Sequence, residues 1–222
     1  MALTAALPAE IRPAMRYFEE INSNISSRRV SIHAGRLFGV NTLIMASGPG
    51  AENARRAHEL LHSSYNVSRI IIFGLAGATA PDLKPGDVVI PQQVALWDDG
   101  ALTRHLDLSP ISAEGTCIPG ANATPGLICA QAPCPCGPEE KKALSTLGAG
   151  IVDMESHTAA SIASERGVCA SIIRAVSDRM VDDVPRDPAK DRKFAVAAKF
   201  ASESNVKALM ALLSGGRKEA LP

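Results

Sequence analysis

"IVDMESHTAASIASERGVCASIIRAVSD", residues 151–178, places acids at the start of a predicted helix and at the end of a predicted buried strand. After an apolar start, residues 155–166 have apolar positions at helical spacing, and Gly167 stands where a helix commonly ends. The segment 168–176 is again rich in apolar residues, as expected of a strand inside a sheet. A helix followed by a buried strand, in a chain where apolar runs and helical stretches alternate, predicts a helix layer packed on a sheet.

The same alternation extends along the chain. We expect a strand in 1–7, a helix over 8–21, two strands within 29–47 around a turn at Gly39, a strand at 69–74, a strand pair within 86–97 interrupted by Pro91, and helices over 138–147 and 188–213. Residues 99–125 are rich in Gly, Pro, Ser and Thr and predict an irregular insertion. The predicted fold class is α/β: a three-layer αβα sandwich with a central mixed, mostly parallel sheet. It forms one domain over 1–214, followed by a polar tail at 215–222.

Composition narrows the function classes. The 222 residues include 23 Lys+Arg and 23 Asp+Glu, and this balance argues against a nucleic-acid-binding protein. No stretch reaches the roughly 18 consecutive apolar residues of a membrane span. The first residues lack the features of a signal peptide, and an odd number of cysteines, five, does not suggest a disulfide framework. We therefore expect a cytoplasmic protein. The cysteines at 129, 134 and 136 lack the partners of a zinc site, so no metal is expected.

Polar residues and glycines follow several predicted strands. They occur in "LPAE" (7–10), "SGPG" (47–50), "GLAGA" (74–78) and "SD" (177–178). In open α/β sheets ligands bind at the carboxyl ends of the strands, so these segments predict a site at one rim. "SGPG" could present backbone N–H groups at a helix N-terminus, or it could be only a tight turn. It is not a P-loop, because no Gly-Lys-Ser/Thr follows.

The acids of the opening segment have structural interpretations too. Glu155 could be a favourable charge in the first turn of a helix, and Asp178 could cap the segment that follows it. Taken singly, these structural roles are the simpler interpretation. The combination of these acids changes that interpretation, because it is part of a resemblance to a known family.

Two long blocks carry a resemblance to a known family. "FGLAGATAPDLKPGDVVIP" (73–91) and "VDMESHTAASIASERGVCASIIRAVSD" (152–178) resemble the nucleoside phosphorylase/nucleosidase family, which includes purine nucleoside phosphorylases and methylthioadenosine/S-adenosylhomocysteine nucleosidases. The resemblance covers essentially the whole chain and is weakest at 99–145. The motif "DMESH" (153–157) is most similar to that of the hopanoid-associated phosphorylase branch. The resemblance implies a nucleoside phosphorylase-like fold and a homo-oligomer.

The resemblance also implies roles for the acids. Glu155 would bind the ribose hydroxyls while Met154 packs against the sugar, and Asp178 would give a proton to the departing purine. Glu10 would hold or activate an attacking water. Breaking an N-glycosidic bond builds positive charge on the sugar and negative charge on the base, so acids on different sides of one bond suit this chemistry. The other expected substrate-binding residues are Ser47, Gly48, Ala76, Gly77, Ala132 and Asp153.

The expected function is cleavage of the N-glycosidic bond of a purine nucleoside, of adenosine type, by water or by phosphate, without a cofactor. A phosphate would need Arg36, Arg55 or Arg56 as its partner. The segment 126–137 has no aromatic residue to stack on a base. Two alternatives stay open: phosphorolysis of a lipid-linked nucleoside such as adenosylhopane, and a non-catalytic nucleoside-binding protein.

Overall fold

The computed structural model describes residues 1–26, 30–111, 121–122, 127–184 and 192–213. The strands are β1 (Ala2–Ala5), β2 (Phe18–Ser26), β3 (Ser31–Leu37), β4 (Val40–Ala46), β5 (Arg69–Ala78), β6 (Val88–Val89), β7 (Gln93–Asp98), β8 (Ala101–Asp107), β9 (Ala121–Asn122), β10 (Ile128–Gln131), β11 (Ala149–Asp153) and β12 (Cys169–Asp178). The helices are α1 (Pro8–Met15), α2 (Ala51–Ser64), α3 (Pro138–Thr146), α4 (Ser156–Glu165) and α5 (Arg192–Leu213). The predicted tail, 215–222, lies outside the described residues.

One mixed sheet forms the middle layer. Its main path runs β2-β3-β4-β1-β5-β11-β10-β7-β8, and β12 also pairs with β5 and leads to β6 and β9. The centre is parallel, because β1 pairs in parallel with β4 and β5, and β12 runs parallel to β5. The antiparallel pairs lie around this centre, for example β2 with β3 and β7 with β8. The predicted mixed sheet is confirmed.

The central strand β5 shows why the fold has three layers. Ile70 and Ile72 belong to the same apolar cluster as residues of α2 and α4. Ile71 and Phe73 belong to a second cluster, with residues of α1 and α5. Successive strand residues point to opposite faces, so the uninterrupted apolar run requires helices on both sides. Burying a side chain of this size contributes about 1.5–3 kcal/mol.

Two predicted boundaries were wrong. The helix expected over 8–21 ends at Met15, and a strand begins at Phe18 and pairs with β3. Pairing across the sheet here overrides the local helical pattern. Part of the expected irregular insertion is β8, which forms a hairpin with β7. Asp99 and Gly100 form its turn with φ of 47° and 76°, the backbone of a tight two-residue hairpin turn.

The remaining predicted elements of the opening unit are confirmed with shifted ends. The helix occupies Ser156–Glu165, and the strand after it continues to Asp178. Among the helices of the described ranges, none is long and apolar enough to cross a membrane.

Candidate active site

A pocket of about 420 Å³ lies where β5, β11 and β12 end. Its volume is in the range of sites that enclose small organic molecules. Its lining includes four carboxylate side chains predicted from the sequence, which come from different parts of the chain: Glu10, Asp153, Glu155 and Asp178. A wider depression of about 620 Å³, lined by 62–68 and 166–168, holds no carboxylate. The smaller pocket is therefore the candidate active site.

Asp178 ends β12 and is held on both oxygens. The Ser177 hydroxyl donates to Oδ1, and the ammonium of Lys141 donates to Oδ2. Lys141 comes from α3 and is completely buried. The sequence predicted that Asp178 gives a proton to the base, but it did not predict this neighbouring cation. The available signal was the position of Lys141, three residues before Leu144 on the buried face of α3, where an apolar residue is expected.

Glu10 lies at the start of α1 and is buried. Its Oε2 accepts the N–H of Leu7 at 2.7 Å, and its Oε1 accepts the N–H of Leu75 at 2.9 Å. The first bond caps the helix, and the second ties the carboxylate to β5. Burial raises the pKa of Glu10, against the opposing effect of the Arg174 charge and of the backbone donors. A carboxylate made more basic in this way is suited to accept a proton.

Glu155 stands immediately before α4. The N–H of Gly50 donates to its Oε1 at 2.6 Å, so the end of "SGPG" binds this side chain. No described residue donates to Oε2, which leaves that oxygen for a ligand. Burial, and then the charge of Asp153, raise the pKa of Glu155 to about 7, while Arg174 and the Gly50 N–H act in the opposite direction. Glu155 therefore changes its charge near neutral pH.

Asp153 is used within the protein. Its Oδ2 binds Arg174 at 2.6 Å and accepts the Ser156 hydroxyl. Its Oδ1 accepts the N–H groups of Glu155 and Ser156 at 3.2 and 3.1 Å. Asp153 thus fixes the start of α4, and with it the position of Glu155.

Arg174 is the buried counter-ion of the site and is 1% exposed. Burial by itself lowers its pKa, but the charges of Asp153, Glu155 and Glu10 act in the opposite direction, so the guanidinium stays charged. Sequence reasoning did not select Arg174. An arginine inside the apolar run "SIIRAV" was the available signal, because arginine is almost never fully buried without a partner.

The other predicted site residues fall into two groups. Ala76, Gly77, Met154 and Asp153 line the pocket. Ser47 lies instead at a buried cavity of about 10 Å³ that also touches Glu155 and Arg174, and the N–H of Gly48 binds the carbonyl of Ala6. Ala132 is buried in an apolar cluster, and the neighbouring pocket wall is formed by Cys134, Pro135 and Cys136.

The arginines predicted as phosphate partners do not line the pocket. Arg55 and Arg56 pair with Glu52 on the exposed face of α2, and Arg55 also pairs with Glu59. Arg36 donates to the carbonyl of Gly39 at a hairpin turn. Among the described residues, no group of three or more His, Cys, Asp or Glu side chains is placed to hold a metal ion.

The fold and this pocket are those of an α/β protein with a carboxylate-lined site of a size suited to a small organic molecule. A family model for the Phosphorylase superfamily matches residues 1–213, and the chain belongs to that superfamily. The resemblance inferred from the two long sequence blocks is thereby confirmed.

A relative is similar in sequence, and two solved structures are similar in fold. A 5'-methylthioadenosine/S-adenosylhomocysteine nucleosidase from Shewanella halifaxensis is 27% identical over 201 residues, covering 80% of this chain and 86% of the relative. The nucleosidase of the same name from Neisseria meningitidis, in complex with methylthio-immucillin-A, matches with a TM-score of 0.80 and 22% identity over 96% of this chain and 97% of that one. Futalosine hydrolase of Helicobacter pylori matches with a TM-score of 0.80 and 18% identity over 96% of both chains. The structural matches show the shared fold.

Proposed function

We propose that this enzyme hydrolyses the N-glycosidic bond of a purine nucleoside, with water as the nucleophile. The observation that carries the proposal is the placement of Glu10, Glu155 and Asp178 around one pocket. Three acids with different hydrogen-bond partners can act on the nucleophile, the sugar and the base of a single bond.

On the sugar side, Glu155 binds ribose. Its Oε2 accepts the sugar hydroxyls while Gly50 holds Oε1. In the ionised form it stabilises the positive charge that develops on the sugar as the bond breaks. Met154 also lines the pocket and gives the sugar an apolar wall.

On the base side, Asp178 acts on the departing purine. The base leaves with the electron pair of the broken bond, and a proton placed on its N7 neutralises that charge. General acid catalysis of this kind is worth about 10²–10⁴-fold. Asp178 is placed for it because both its oxygens are held in position.

Water is favoured over phosphate by the charges of the lining. Lys141 is the one Lys or Arg side chain among the described lining residues, and it is bound to Asp178 and to two backbone carbonyls. A phosphate beside two buried carboxylates would need a cation free to bind it. A water instead needs an acceptor for its proton, which Glu10 supplies.

For the substrate we infer an adenosine-type nucleoside with an apolar 5′ group. Leu7, Pro49, Leu75 and Val184 line the pocket and suit an apolar substituent. The nucleosidases among the relatives carry methylthioadenosine and S-adenosylhomocysteine in their names. A lipid-linked nucleoside is the larger alternative of the same chemical kind.

The test is base release with analysis of the sugar product. Adenosine, methylthioadenosine, S-adenosylhomocysteine, inosine and futalosine would each be incubated with and without phosphate. We expect free base and free sugar at rates that do not depend on phosphate, fastest for a nucleoside with an apolar 5′ group.

Replacement of Glu10 by Gln should lower the rate by about 10²–10⁴-fold and leave nucleoside binding nearly unchanged, because the amide cannot accept the proton. Glu19→Gln on β2 is the matched control and should behave as wild type. Sugar 1-phosphate formed only with phosphate would replace hydrolysis by phosphorolysis. Binding of a nucleoside without turnover of any substrate would favour the non-catalytic alternative.

The homo-oligomer and the cytoplasmic location belong to the same proposal. Val196 and Phe200 lie about one turn apart on α5 and are 71% and 57% exposed, and an exposed apolar pair on one helix face supports a subunit contact.

A further inference from the structure

Lys141 is an unexpected charge in the interior. Its side chain has no exposed surface, and lysine is almost never fully buried unless it is paired. Removing an ammonium from water costs several kcal/mol, which a partner must offset. The partner is Asp178, the residue that faces the leaving base in the proposed reaction.

The three N–H bonds of Lys141 are all used. One goes to Asp178 Oδ2, and the other two go to the backbone carbonyls of Arg179 and Asp182, each at 2.9 Å. An ammonium has three donors and no acceptor. Two of its protons are thus tied to carbonyls, which have no proton to exchange. The third is shared with the carboxylate and is the one that can move.

The backbone of β5 packs against this pair. A Cβ at Gly77 would lie 3.0 Å from Asp178 Oδ2 and 3.2 Å from Lys141 Cε. The absence of a side chain at Gly77 therefore leaves the space that the pair occupies. Ser177 holds the other carboxylate oxygen, so the pair is fixed from several sides.

Resting on the proposed function, we propose that Lys141 positions Asp178 and supplies the proton that Asp178 gives to the base. Asp178 is paired with Lys141, so in this mechanism the proton for the base comes through the pair. During cleavage, the bond between the anomeric carbon and N9 breaks and its electron pair goes to the purine. Asp178 gives a proton to N7 and takes the shared proton from Nζ, so Lys141 becomes a neutral amine. The proton that the attacking water loses to Glu10 completes the balance, and exchange with solvent after product release restores both groups.

The experiment separates proton supply from a structural role by changing the leaving group. 4-Nitrophenyl riboside releases an anion that is stable without protonation, whereas a purine nucleoside needs an acid. Lys141→Met removes the proton source, Lys141→Arg keeps a positive charge that does not give up its proton, and Lys142→Met, at an exposed neighbour on the same helix, is the control. Thermal unfolding would establish that each variant is folded.

For the purine nucleoside we expect kcat to fall by about 10²–10⁴-fold in Lys141→Met, and also in a folded Lys141→Arg, with KM changed far less. For the aryl riboside we expect both variants to stay within about tenfold of wild type. Lys142→Met should match wild type on both substrates. Equal losses on the two substrates, or full nucleoside activity in Lys141→Arg, would overturn the proton-supply role. Failure of the wild type to cleave any nucleoside would instead overturn the proposed function, and this inference with it.

Discussion

At the scale of single residues, the site depends on how its buried charges are shared. Arg174 contacts Asp153 directly and lowers the pKa of both Glu10 and Glu155, opposing the larger effect of their burial. Among the described residues, Lys141 forms an ion pair only with Asp178. The two cations therefore divide the acids into a sugar-side group and a base-side group. This separation is the physical basis for assigning them different tasks.

The raised pKa of Glu155 leads to a prediction about the pH dependence of activity. Because the ionised form stabilises the positive sugar, kcat/KM should rise with pH and level off near the pKa of about 7. Glu155→Gln should lower kcat/KM on the order of 10²–10³-fold and lose this rise. Initial rates of base release from about pH 5 to about pH 9, roughly two units on either side of the pKa of Glu155, would measure both effects.

The control is Glu165→Gln, at an exposed acid at the other end of α4. It should keep the wild-type pH profile. A profile that stays unchanged in Glu155→Gln would assign the titration to another group.

At the scale of elements, β5 and β12 bring the site together. They run side by side in parallel from Arg69 and Cys169 to Gly77 and Asp178. Glu10 reaches β5 at Leu75, and Asn205 of α5 binds the carbonyl of Gly74 at 2.8 Å. The pair of strands therefore connects helices on one face with the acids at the rim.

Gly74 of β5 is in close contact with the side chains of Arg174 and Glu10. A Cβ there would lie 2.3 Å from Arg174 Nη1 and 2.7 Å from Glu10 Oε1, with φ at 149°. Gly74→Ala should therefore lower the free energy of unfolding by about 1–3 kcal/mol through overpacking, in addition to backbone strain. It should also lower activity, because Glu10 is displaced.

Gly148→Ala is the matched control. Gly148 also has a positive φ, 89°, but a Cβ there would meet nothing within 4 Å. It should show the backbone strain alone, with normal activity. Urea unfolding of both variants would measure the difference, and equal free-energy losses would show that the close approach at Gly74 is relieved by small shifts.

Helices and strands could be predicted from the sequence where a single local sequence pattern specifies them. The apolar run of β5 and the glycine-terminated α4 were found from sequence, since burial on two faces and a C-terminal glycine act locally. The strand β2 was missed because "RYFEEI" has helix-compatible spacing, and only its pairing with β3 makes it a strand.

At the scale of the whole molecule, the equal numbers of acidic and basic residues conceal an uneven distribution. Several acids are buried together, and burial raises the pKa of Glu10 and of Glu155. A carboxyl whose pKa is raised by folding binds its proton more tightly in the folded state. Its contribution to stability is complete below the unfolded pKa and is lost as pH rises through the folded pKa.

The stabilising contribution of Glu155 to the wild-type protein should therefore be lost between about pH 4.5 and pH 7. At about 1.4 kcal/mol per pKa unit, the contribution of Glu155 is at most roughly 3 kcal/mol. Glu155→Gln should show a flatter dependence over this window, because the amide does not titrate. Urea unfolding at steps of about half a pH unit would measure this difference in pH dependence. Parallel wild-type and variant curves would contradict the assignment of the titration to Glu155.

The sequence by itself determined the layered α/β fold and the family, and it predicted the three acids of the candidate site. These follow from local patterns: apolar periodicity, glycine punctuation and short motifs that keep their order along the chain. Only the tertiary structure decided which cation faces which acid. Lys141 and Asp178 are 37 residues apart, and Gly50 and Glu155 are 105 apart, so no local pattern links them. Hydrogen bonds between buried charges are sensitive to changes in distance of a few tenths of an ångström, and these distances are fixed only when the strands and helices pack together.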